Sequence, residues 1–394
     1  MSILNGPVAF IDDEVNLPDK AAYRMKVALA AHGRPVAAFD SIPDVSYIEH
    51  WRSLSFLVLD WDLSPGSFGG LGGSTLGAYA RTSLFDFLAE FMSEVFCPVF
   101  IVSAEDTDDI ERQLRENLRF GPSGGLDTRI RVFGKSAVVD DLLNHLESWV
   151  DSNLALSVLK VWEQQYEIAI NRLFTDFNEL DSNWPTYVWR NALQDHVEPS
   201  FELAATLTAN LLHRIDVMKF DAESIGGDLE TGLSTSSMRR VFNGRTVIPQ
   251  SRLHADVIMP GDLFSDADNV DVVWLNLTPA CQTVVGRSGE DVITRLYAVP
   301  GTRLEPPQSK NKFSDMTRES PNSIVFHALH EDSAYRFDLK SAAFLTWSEV
   351  SDRRVGRLLA PYITRAQQLN SLFMQIEGVP RATFELLYKE DQQE

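Results

Sequence analysis

Four short apolar runs in the first third of the chain each end on polar side chains that can handle phosphoryl groups. The runs are VAFI, FLVL, CPVFIV and IRVFG, and each has the length and apolarity typical of a strand buried in a parallel sheet. The polar residues that follow them are Asp12, Asp13, Asp60, Asp62, Ser103 and Lys135. The carboxyl ends of parallel strands share one edge of a sheet, so we expect these side chains to converge there.

The residue types indicate cation-dependent phosphoryl chemistry. An exposed aspartate can attack a phosphoryl donor and become an acyl phosphate. Neighbouring carboxylates would repel the incoming dianion unless a divalent cation lies among them, and Mg²⁺ prefers such oxygen ligands. A lysine and a hydroxyl can then bind the phosphoryl oxygens.

With these residues in this order, the N-terminal segment resembles the receiver domains of two-component response regulators. The resemblance implies Asp60 as the phosphoacceptor, Mg²⁺ as the cofactor and a histidine kinase as the donor. It implies metal ligation by Asp12, Asp13 and Asp60 and by the backbone carbonyl of Asp62. It also implies that Ser103, with the small Ala104 beside it, and Lys135 act on the phosphoryl group.

The loop after the predicted acceptor departs from the receiver pattern. Pro65 stands one position later than usual, and the Gly-rich segment Gly66 to Gly77 lengthens the route to the fourth strand. The segment lacks the closing Gly-Lys-Ser/Thr of a phosphate-binding P-loop, so we interpret it as a flexible connection that could act as a lid.

Two further departures concern the fifth strand. Lys135 is followed by Ser136 where receivers usually carry a proline after a cis peptide bond, so we expect a trans bond with altered lysine reach or a strained exception. The usual switch aromatic three residues before the lysine is Val132, and Phe133 should point to the opposite face. These departures favour a receiver that accepts phosphate over one that transmits a large conformational change.

Composition excludes several classes of function. The 394 residues carry a formal net charge of −21, from 35 basic and 56 acidic side chains, and no basic helix-turn-helix follows the receiver. Nucleic-acid binding depends on neutralising phosphates with Lys and Arg, so we predict no nucleic-acid partner, and the same sign disfavours a membrane surface. Two cysteines and a start without a basic, apolar leader predict a cytoplasmic protein without disulfides.

We predict three regions and an α/β fold class. Residues 1–150 form a doubly wound, flavodoxin-like, five-stranded parallel receiver domain that ends in a helix from Ala137 to Trp149. Residues 151–235 form a helical linker or hairpin region with an aromatic stripe that includes Trp162 and Tyr166. The stripe is expected to be core, with a homodimer seam as the alternative. Residues 236–394 form a β-rich α+β interaction domain.

Local signals refine this division. Residues 221–245 are rich in Gly, Ser and Thr, which predicts a boundary or loop. Short apolar pieces between 250 and 350, with turns at Pro260-Gly261 and Pro300-Gly301, predict an antiparallel sheet or small barrel. The segment RRVGRLLAPYITRAQQLNSLFMQIEG predicts a final helical pair broken by Pro361.

Three functional hypotheses remain open. VWLNLTPACQTV and VGRLLAPYITRAQQ resemble segments of larger receiver-bearing proteins of bacterial phage-defence and stress operons. That resemblance implies a phosphate sink acting beside a second response-regulator effector. The alternatives are a phosphorylation-gated scaffold whose C-terminal domain binds a protein, and an enzyme that gathers His327, His330 and Glu331 in a deep pocket. Outside the last case, the only catalysis expected is self-phosphorylation and autodephosphorylation at Asp60.

Overall fold

The protein is described here from a computed structural model that covers residues 4–63, 73–117, 128–218, 220, 234–255, 257–283, 295–304, 316–330 and 333–375. The predicted lid lies mostly outside these residues. The chain divides into two compact units. The N-terminal unit comprises Met1–Thr175 and Leu211–Gly227, and the C-terminal unit comprises Asp176–Asn210 and Asp228–Glu394.

A five-stranded parallel sheet forms the centre of the N-terminal unit. Its strands are β1 Val8–Ile11, β2 Val36–Phe39, β3 Phe56–Asp60, β4 Val99–Ser103 and β5 Ile130–Gly134. The strand order is β2-β1-β3-β4-β5, and every neighbouring pair is parallel. The predicted flavodoxin-like sheet is therefore confirmed. The four apolar runs that ended on polar residues are β1, β3, β4 and β5.

Helices cover both faces of this sheet. They are α1 Ala21–Ala31, α2 Gly73–Glu94, α3 Thr107–Asn117, α4 Lys135–Val138 and α5 Leu142–Ser152. A 3₁₀ helix, Val45–His50, stands between β2 and β3. The single helix that we predicted from Ala137 to Trp149 is thus two helices, α4 and α5. Acidic residues in the first turn of α3 and Arg115 in its last turn match the helix dipole.

Strand alternation builds two cores from the same four strands. One core combines alternate strand residues, such as Leu57 and Ile101, with α2, α3 and the 3₁₀ helix. The other combines the intervening residues, such as Val58 and Phe100, with α1 and α5. Because both faces are buried, the strands read as continuous apolar runs, and their carboxyl ends are the place where polar side chains can collect.

Three helices follow the receiver-like sheet: α6 Leu154–Leu180, α7 Trp184–Gln194 and α8 Pro199–Leu212. The aromatic stripe of α6 is not core in the single chain, because Trp162 and Tyr166 are each 39% exposed while Leu173 is buried. The predicted region 151–235 contributes residues to both compact units. Its standing as a separate domain stays a prediction.

The C-terminal unit contains an antiparallel sheet, as predicted. The strands are β6 Val247–Pro249, β7 Asp262–Ser265, β8 Val272–Asn276, β9 Arg295–Leu304, β10 Met316–Ser320, β11 Ser323–His330, β12 Ser333–Asp338, β13 Ala343–Thr346 and β14 Arg354–Leu358. Their order is β10-β11-β12-β9-β8-β7-β14-β6, and β13 pairs with β9. The remaining helices are α9 Thr235–Thr246, α10 Trp347–Val350 and α11 Tyr362–Met374.

Three local predictions for this unit were wrong. The Ser- and Thr-rich stretch before residue 245 contains helix α9, which Ser234 caps by accepting the Ser237 N–H. Pro300-Gly301 lies inside β9, where a Cβ on Gly301 would lie 2.6 Å from the Phe337 ring. The first half of the predicted final helical pair is strand β14, and only the second half is helix α11.

No helix among the described ranges is both long enough and apolar enough to cross a membrane.

Candidate functional site

The strand ends bring three of the predicted site residues to one place. Asp12 directly follows β1, Asp60 is the last residue of β3, and Lys135 is the first residue of α4 after β5. β1 and β3 are hydrogen-bonded neighbours, and β5 lies one strand beyond β3 on the far side of β4. Lys135 lies 123 residues after Asp12 and 75 residues after Asp60, and the two aspartates are 48 residues apart. The three side chains nevertheless meet because parallel strands end at one edge.

Lys135 bridges the two buried carboxylates. Its Nζ donates to Asp12 Oδ2 at 2.8 Å and to Asp60 Oδ2 at 3.2 Å. The other oxygen of Asp12 accepts the backbone N–H of Glu14 at 2.8 Å. The side chains of Asp12 and Asp60 are only 2% and 7% exposed, so this network is held in a largely desolvated pocket.

Asp13 completes a group of three acids. One carboxylate oxygen from each of Asp12, Asp13 and Asp60 lies within 4.8 Å of the others, and this group could hold a metal ion. Asp13 is more open to solvent than the other two. We call these three carboxylates, together with Lys135, the acid cluster. Its formal charge is −2, because one ammonium group faces three carboxylates.

The excess negative charge changes the titration of the cluster. Burial, and then the neighbouring charge of Asp12, raise the pKa of Asp60 to about 7, although Lys135 and a backbone hydrogen bond from Asp62 oppose the shift. Burial and the charge of Asp12 also raise the pKa of Asp13. Burial alone would lower the pKa of Lys135, but its hydrogen bond to Asp12 and the charge of Asp60 raise it.

Asp62 and Ser103 lie at the same edge without joining the bridge. Asp62 is exposed, and its charge acts on Asp13. Ser103 is fully buried at the end of β4, where it pairs with Gly134 of β5. Within the described chain its hydroxyl bonds only to the backbone N–H of Glu105, at 3.0 Å. The metal role of Asp62 and the phosphoryl role of Ser103 stay predictions.

The departures on β5 have clear structural outcomes. The peptide bond between Lys135 and Ser136 is trans, and the lysine still reaches both carboxylates. Val132 is buried in the core beneath α2 and α3, whereas Phe133 packs on the opposite core beside Phe100 and His145. The prediction that Phe133 points to the other face is therefore confirmed.

Sequence reasoning missed one residue that contacts Trp61, next to Asp60: Arg81 of α2. Its guanidinium lies 4.1 Å from the centre of the Trp61 ring, and its Nη1 donates to the Trp61 carbonyl at 3.1 Å. Its Nη2 lies 3.9 Å from Glu105, two residues beyond Ser103. Arg81 thus ties the segment after β3 to the segment after β4. No motif marks it, because it lies 21 residues beyond Asp60 on a helix.

Comparison with known proteins leaves the site to be interpreted on its own geometry. No protein-family model matches the sequence, and no curated protein or solved structure gives a match. What the chain supports directly is a flavodoxin-like N-terminal sheet with an acid cluster at its carboxyl edge, an arrangement consistent with a receiver-like fold.

The residues proposed for an enzymatic centre in the C-terminal unit do not meet in its described cavity. That cavity is lined mainly by the segment after β8, by the end of β14 with the residues that follow it, and by α11. Neither His327 nor His330 is among its lining residues. Glu331 lies outside the described residues. An enzymatic role for residues 250–350 stays a prediction.

Proposed function

We propose that the N-terminal unit accepts a phosphoryl group on Asp60 from a partner histidine kinase, in a reaction that depends on Mg²⁺. One observation carries this proposal: a lysine joins two buried aspartates at the carboxyl edge of a parallel sheet, and a carboxylate oxygen of a third aspartate lies within 4.8 Å of both. A purely structural ion pair needs one carboxylate for each ammonium group. This cluster holds two carboxylates more.

The proposed transfer is a single displacement at phosphorus. A carboxylate oxygen of Asp60 forms a bond to phosphorus while the P–N bond to the donor histidine breaks. The electron pair of that bond stays on the imidazole nitrogen, which takes up a proton. Lys135, already 3.2 Å from Asp60, supplies a positive charge to the transferred phosphoryl oxygens, and the buried Ser103 hydroxyl retains a proton to donate.

The donor set fits Mg²⁺. Three carboxylates provide hard oxygen ligands, and Asp13 is open enough to solvent for the ion to keep several waters. Burial, followed by the neighbouring charge of Asp12, raises the pKa of Asp60, so its negative charge is unfavourable without a cation. A bound Mg²⁺ would neutralise this charge and that of the phosphoryl group, and Asp12, Asp13 and Asp60 would hold it, with the Asp62 carbonyl as the further ligand implied by the receiver resemblance.

Phosphorylation of the full chain by a small donor tests the acceptor. We expect acetyl phosphate with Mg²⁺ to produce a phosphorylated species that hydroxylamine removes, because hydroxylamine cleaves acyl phosphates. Asp60→Asn should abolish this species, whereas Asp62→Asn should retain it because the expected ligand there is a backbone carbonyl. Label that persists in Asp60→Asn, or a chain that stays unlabelled with Mg²⁺, would refute the proposal.

Of the roles open to such a phosphoryl acceptor, we propose first that the protein acts as a phosphate sink. The departures on β5 and the acidic, non-DNA-binding composition support a receiver that stores phosphate rather than one that drives an output domain. In a bacterial antiphage two-component system, Asp60→Asn should then leave more phosphate on the second response-regulator effector and impair growth without infection. Unchanged effector phosphorylation and growth would count against the sink.

A phosphorylation-gated scaffold is the second candidate, favoured by the exposed aromatic stripe on α6. Leu159, Trp162 and Tyr166 are 49%, 39% and 39% exposed, and such apolar surface often marks a protein interface. Beryllofluoride, which mimics the phosphoryl group, should then increase capture of a protein partner. A sink requires no partner of this kind beyond its kinase.

A further inference from the structure

The C-terminal unit contains a cavity of about 800 Å³ between its sheet and helix α11. Its walls come from the segment before β7, the segment after β8, strands β9, β13 and β14, and the first three turns of α11. Cavities that bind small molecules typically measure about 300–1,000 Å³. The cavity belongs entirely to described residues of one unit and is separate from the acid cluster.

Most of the cavity wall is apolar and aromatic. Tyr297 and Phe344 form an edge-to-face pair with ring centres 5.7 Å apart, and Leu277 and Ile363 are buried beside them. Such a wall favours a ligand with an aromatic or aliphatic body, because burial of apolar surface supplies most of the binding free energy.

The wall carries one formally charged side chain, that of Arg357. Its Nε donates to Asp262 Oδ1 at 2.7 Å, and its Nη2 donates to the Val257 carbonyl at 2.7 Å. Within the described part of the chain its Nη1 has no hydrogen-bond partner. The side chain is 13% exposed and lines the cavity.

The charge around Arg357 is not balanced. Asp262 is completely buried and also pairs with Arg354, whose Nη1 lies 3.6 Å from Asp262 Oδ2. We call these three residues the arginine cluster. Two guanidinium groups share one carboxylate, so the cluster has a formal charge of +1 in a chain whose net charge is −21. A largely desolvated excess charge favours an opposite charge brought by a ligand.

Neutral polar groups on α11 can orient such a ligand. Gln367 donates its amide to the Leu277 carbonyl at 3.1 Å, which leaves its amide oxygen as an acceptor. Asn370 accepts the Tyr297 hydroxyl at 3.4 Å, which leaves its amide N–H groups as donors. The two side chains are three residues apart and therefore lie on the same side of the helix.

Backbone contacts fix the part of the wall formed by the segment before β7 and by β14. Gly261 has φ +91°, and a Cβ there would lie 2.3 Å from the Leu358 carbonyl, so this close approach requires glycine. Leu358 donates its N–H to the Gly261 carbonyl at 2.8 Å. The buried Asn276 donates its side-chain amide to the Met259 carbonyl at 2.9 Å. These bonds hold the wall in place without a ligand, as in most small-molecule sites.

We propose that this cavity binds a small organic anion, with its apolar body against Tyr297 and Phe344 and its acidic group on the guanidinium of Arg357. The ligand class is an aromatic or aliphatic compound that carries one carboxylate, sulfonate or phosphate group. The C-terminal unit is then a ligand-binding module in addition to any role in protein interaction.

Two fluorescent probes separate the charge requirement from the apolar one. The anion 8-anilinonaphthalene-1-sulfonate should bind the full chain at one site, and the neutral N-phenyl-1-naphthylamine should bind more weakly. Arg357→Gln should weaken binding of the anion by about tenfold and change binding of the neutral probe by less than about twofold, because it removes the charged contact with the acidic group and leaves the apolar wall in place. Arg357→Lys should retain part of the preference for the anion.

A cavity-filling variant tests the location without touching the arginine cluster. Ser371 is exposed on α11 and lines the cavity, so Ser371→Trp should remove both probes. The matched control is Gln368→Trp, an exposed position on the same helix outside the lining, which should bind both probes normally. Anion binding that survives Ser371→Trp, or that equals binding of the neutral probe in the unmodified protein, would overturn the proposal. The latter comparison decides the charge question even if Arg357→Gln fails to fold.

Discussion

The two units each bury a charged cluster, and the clusters differ in sign and in how the chain completes them. The acid cluster has a formal charge of −2, and within the described ranges it accepts backbone N–H groups from Glu14 and Asp62, each two residues after an aspartate of the cluster. The arginine cluster has a charge of +1, and among the described residues four of the six hydrogen bonds from its guanidinium groups go to backbone carbonyls. In both cases the residual charge would favour a bound ligand of the opposite charge.

The comparison teaches that burial alone does not show whether a charged side chain stabilises the fold. Arg354 is 1% exposed and bonds Gln250 and the carbonyls of His254, Ala255 and Val257, so its role is to hold the chain together. Asp60 is nearly as buried, but its pKa is raised to about 7, so its charge is unfavourable in the folded protein. The sign of a substitution's effect on stability should therefore differ between the two.

The largest effect is expected from Arg354→Met. This change leaves the buried Asp262 with one partner fewer and removes the hydrogen-bond donors of several backbone carbonyls. It should therefore lower the free energy of unfolding of the C-terminal unit by about 3–5 kcal/mol. Urea unfolding combined with hydrogen exchange of β14 measures this loss. The exposed Arg365 of α11 is the control, and Arg365→Met should cost less than about 0.5 kcal/mol. A loss below about 1 kcal/mol in Arg354→Met would erase the contrast between the clusters.

The opposite sign is expected for Asp60→Asn without divalent cations. The pKa of Asp60 is raised from 3.8 to about 7, mainly by burial, so the stability that its protonated form contributes is lost as the pH rises through 7. Asparagine avoids this loss. The variant should gain stability between pH 5 and pH 8, up to an upper bound on the order of 4 kcal/mol.

Thermal unfolding in EDTA across this pH range measures the gain. Asp62→Asn is the control, because Asp62 is exposed and should change stability little. A pH-independent loss of stability in Asp60→Asn would mean that the chain already compensates the acid cluster.

A smaller loss is expected from Lys135→Met. Asp12 and Asp60 would then face each other without the bridging ammonium group, which should cost about 1–3 kcal/mol at pH 8 in EDTA. Mg²⁺ should restore much of this stability, because a divalent cation replaces the missing positive charge. Melting temperatures with and without MgCl₂ measure both effects. A variant that melts like the original protein in EDTA would show that the bridge contributes no stability.

The smallest effect on stability is expected from Arg81→Ala. Its guanidinium is partly exposed, and a cation–π contact with one distant ion pair contributes about 1 kcal/mol or less. The variant should instead slow phosphorylation of Asp60 by acetyl phosphate severalfold, because the segments after β3 and β4 lose their tie. Arg115→Ala, on the exposed side of α3, is the control. An unchanged rate would limit Arg81 to a packing role.

Sequence reasoning worked best where each element carries its own signal. The runs FLVL and VFIV are apolar at every position because both faces of a parallel strand are buried, and β3 and β4 contain them. The order of the acids and the lysine after successive strands was enough to predict that Asp12, Asp60 and Lys135 meet, since a parallel sheet has one carboxyl edge.

The same reasoning failed where a distant contact overrides the local signal. Pro300-Gly301 has turn composition, yet it lies within β9 because Phe337 of the paired strand β12 packs over the glycine. The segment 354–358 looks helical beside α11, but Arg354 and Arg357 point into an ion cluster with Asp262, about ninety residues earlier. Short pieces of chain do not contain the partners that decide between helix and strand.

The sequence by itself determined the parallel sheet, its strand ends and the chemical types gathered there, because alternation, apolar runs and side-chain types are local properties. Only the tertiary structure decided which charges are compensated, since that depends on burial and on partners far apart in the chain. It showed that Lys135 reaches two carboxylates although the peptide bond that follows it is trans. It also showed that Arg81 contacts the segments after β3 and β4, and that Arg357 lines a cavity.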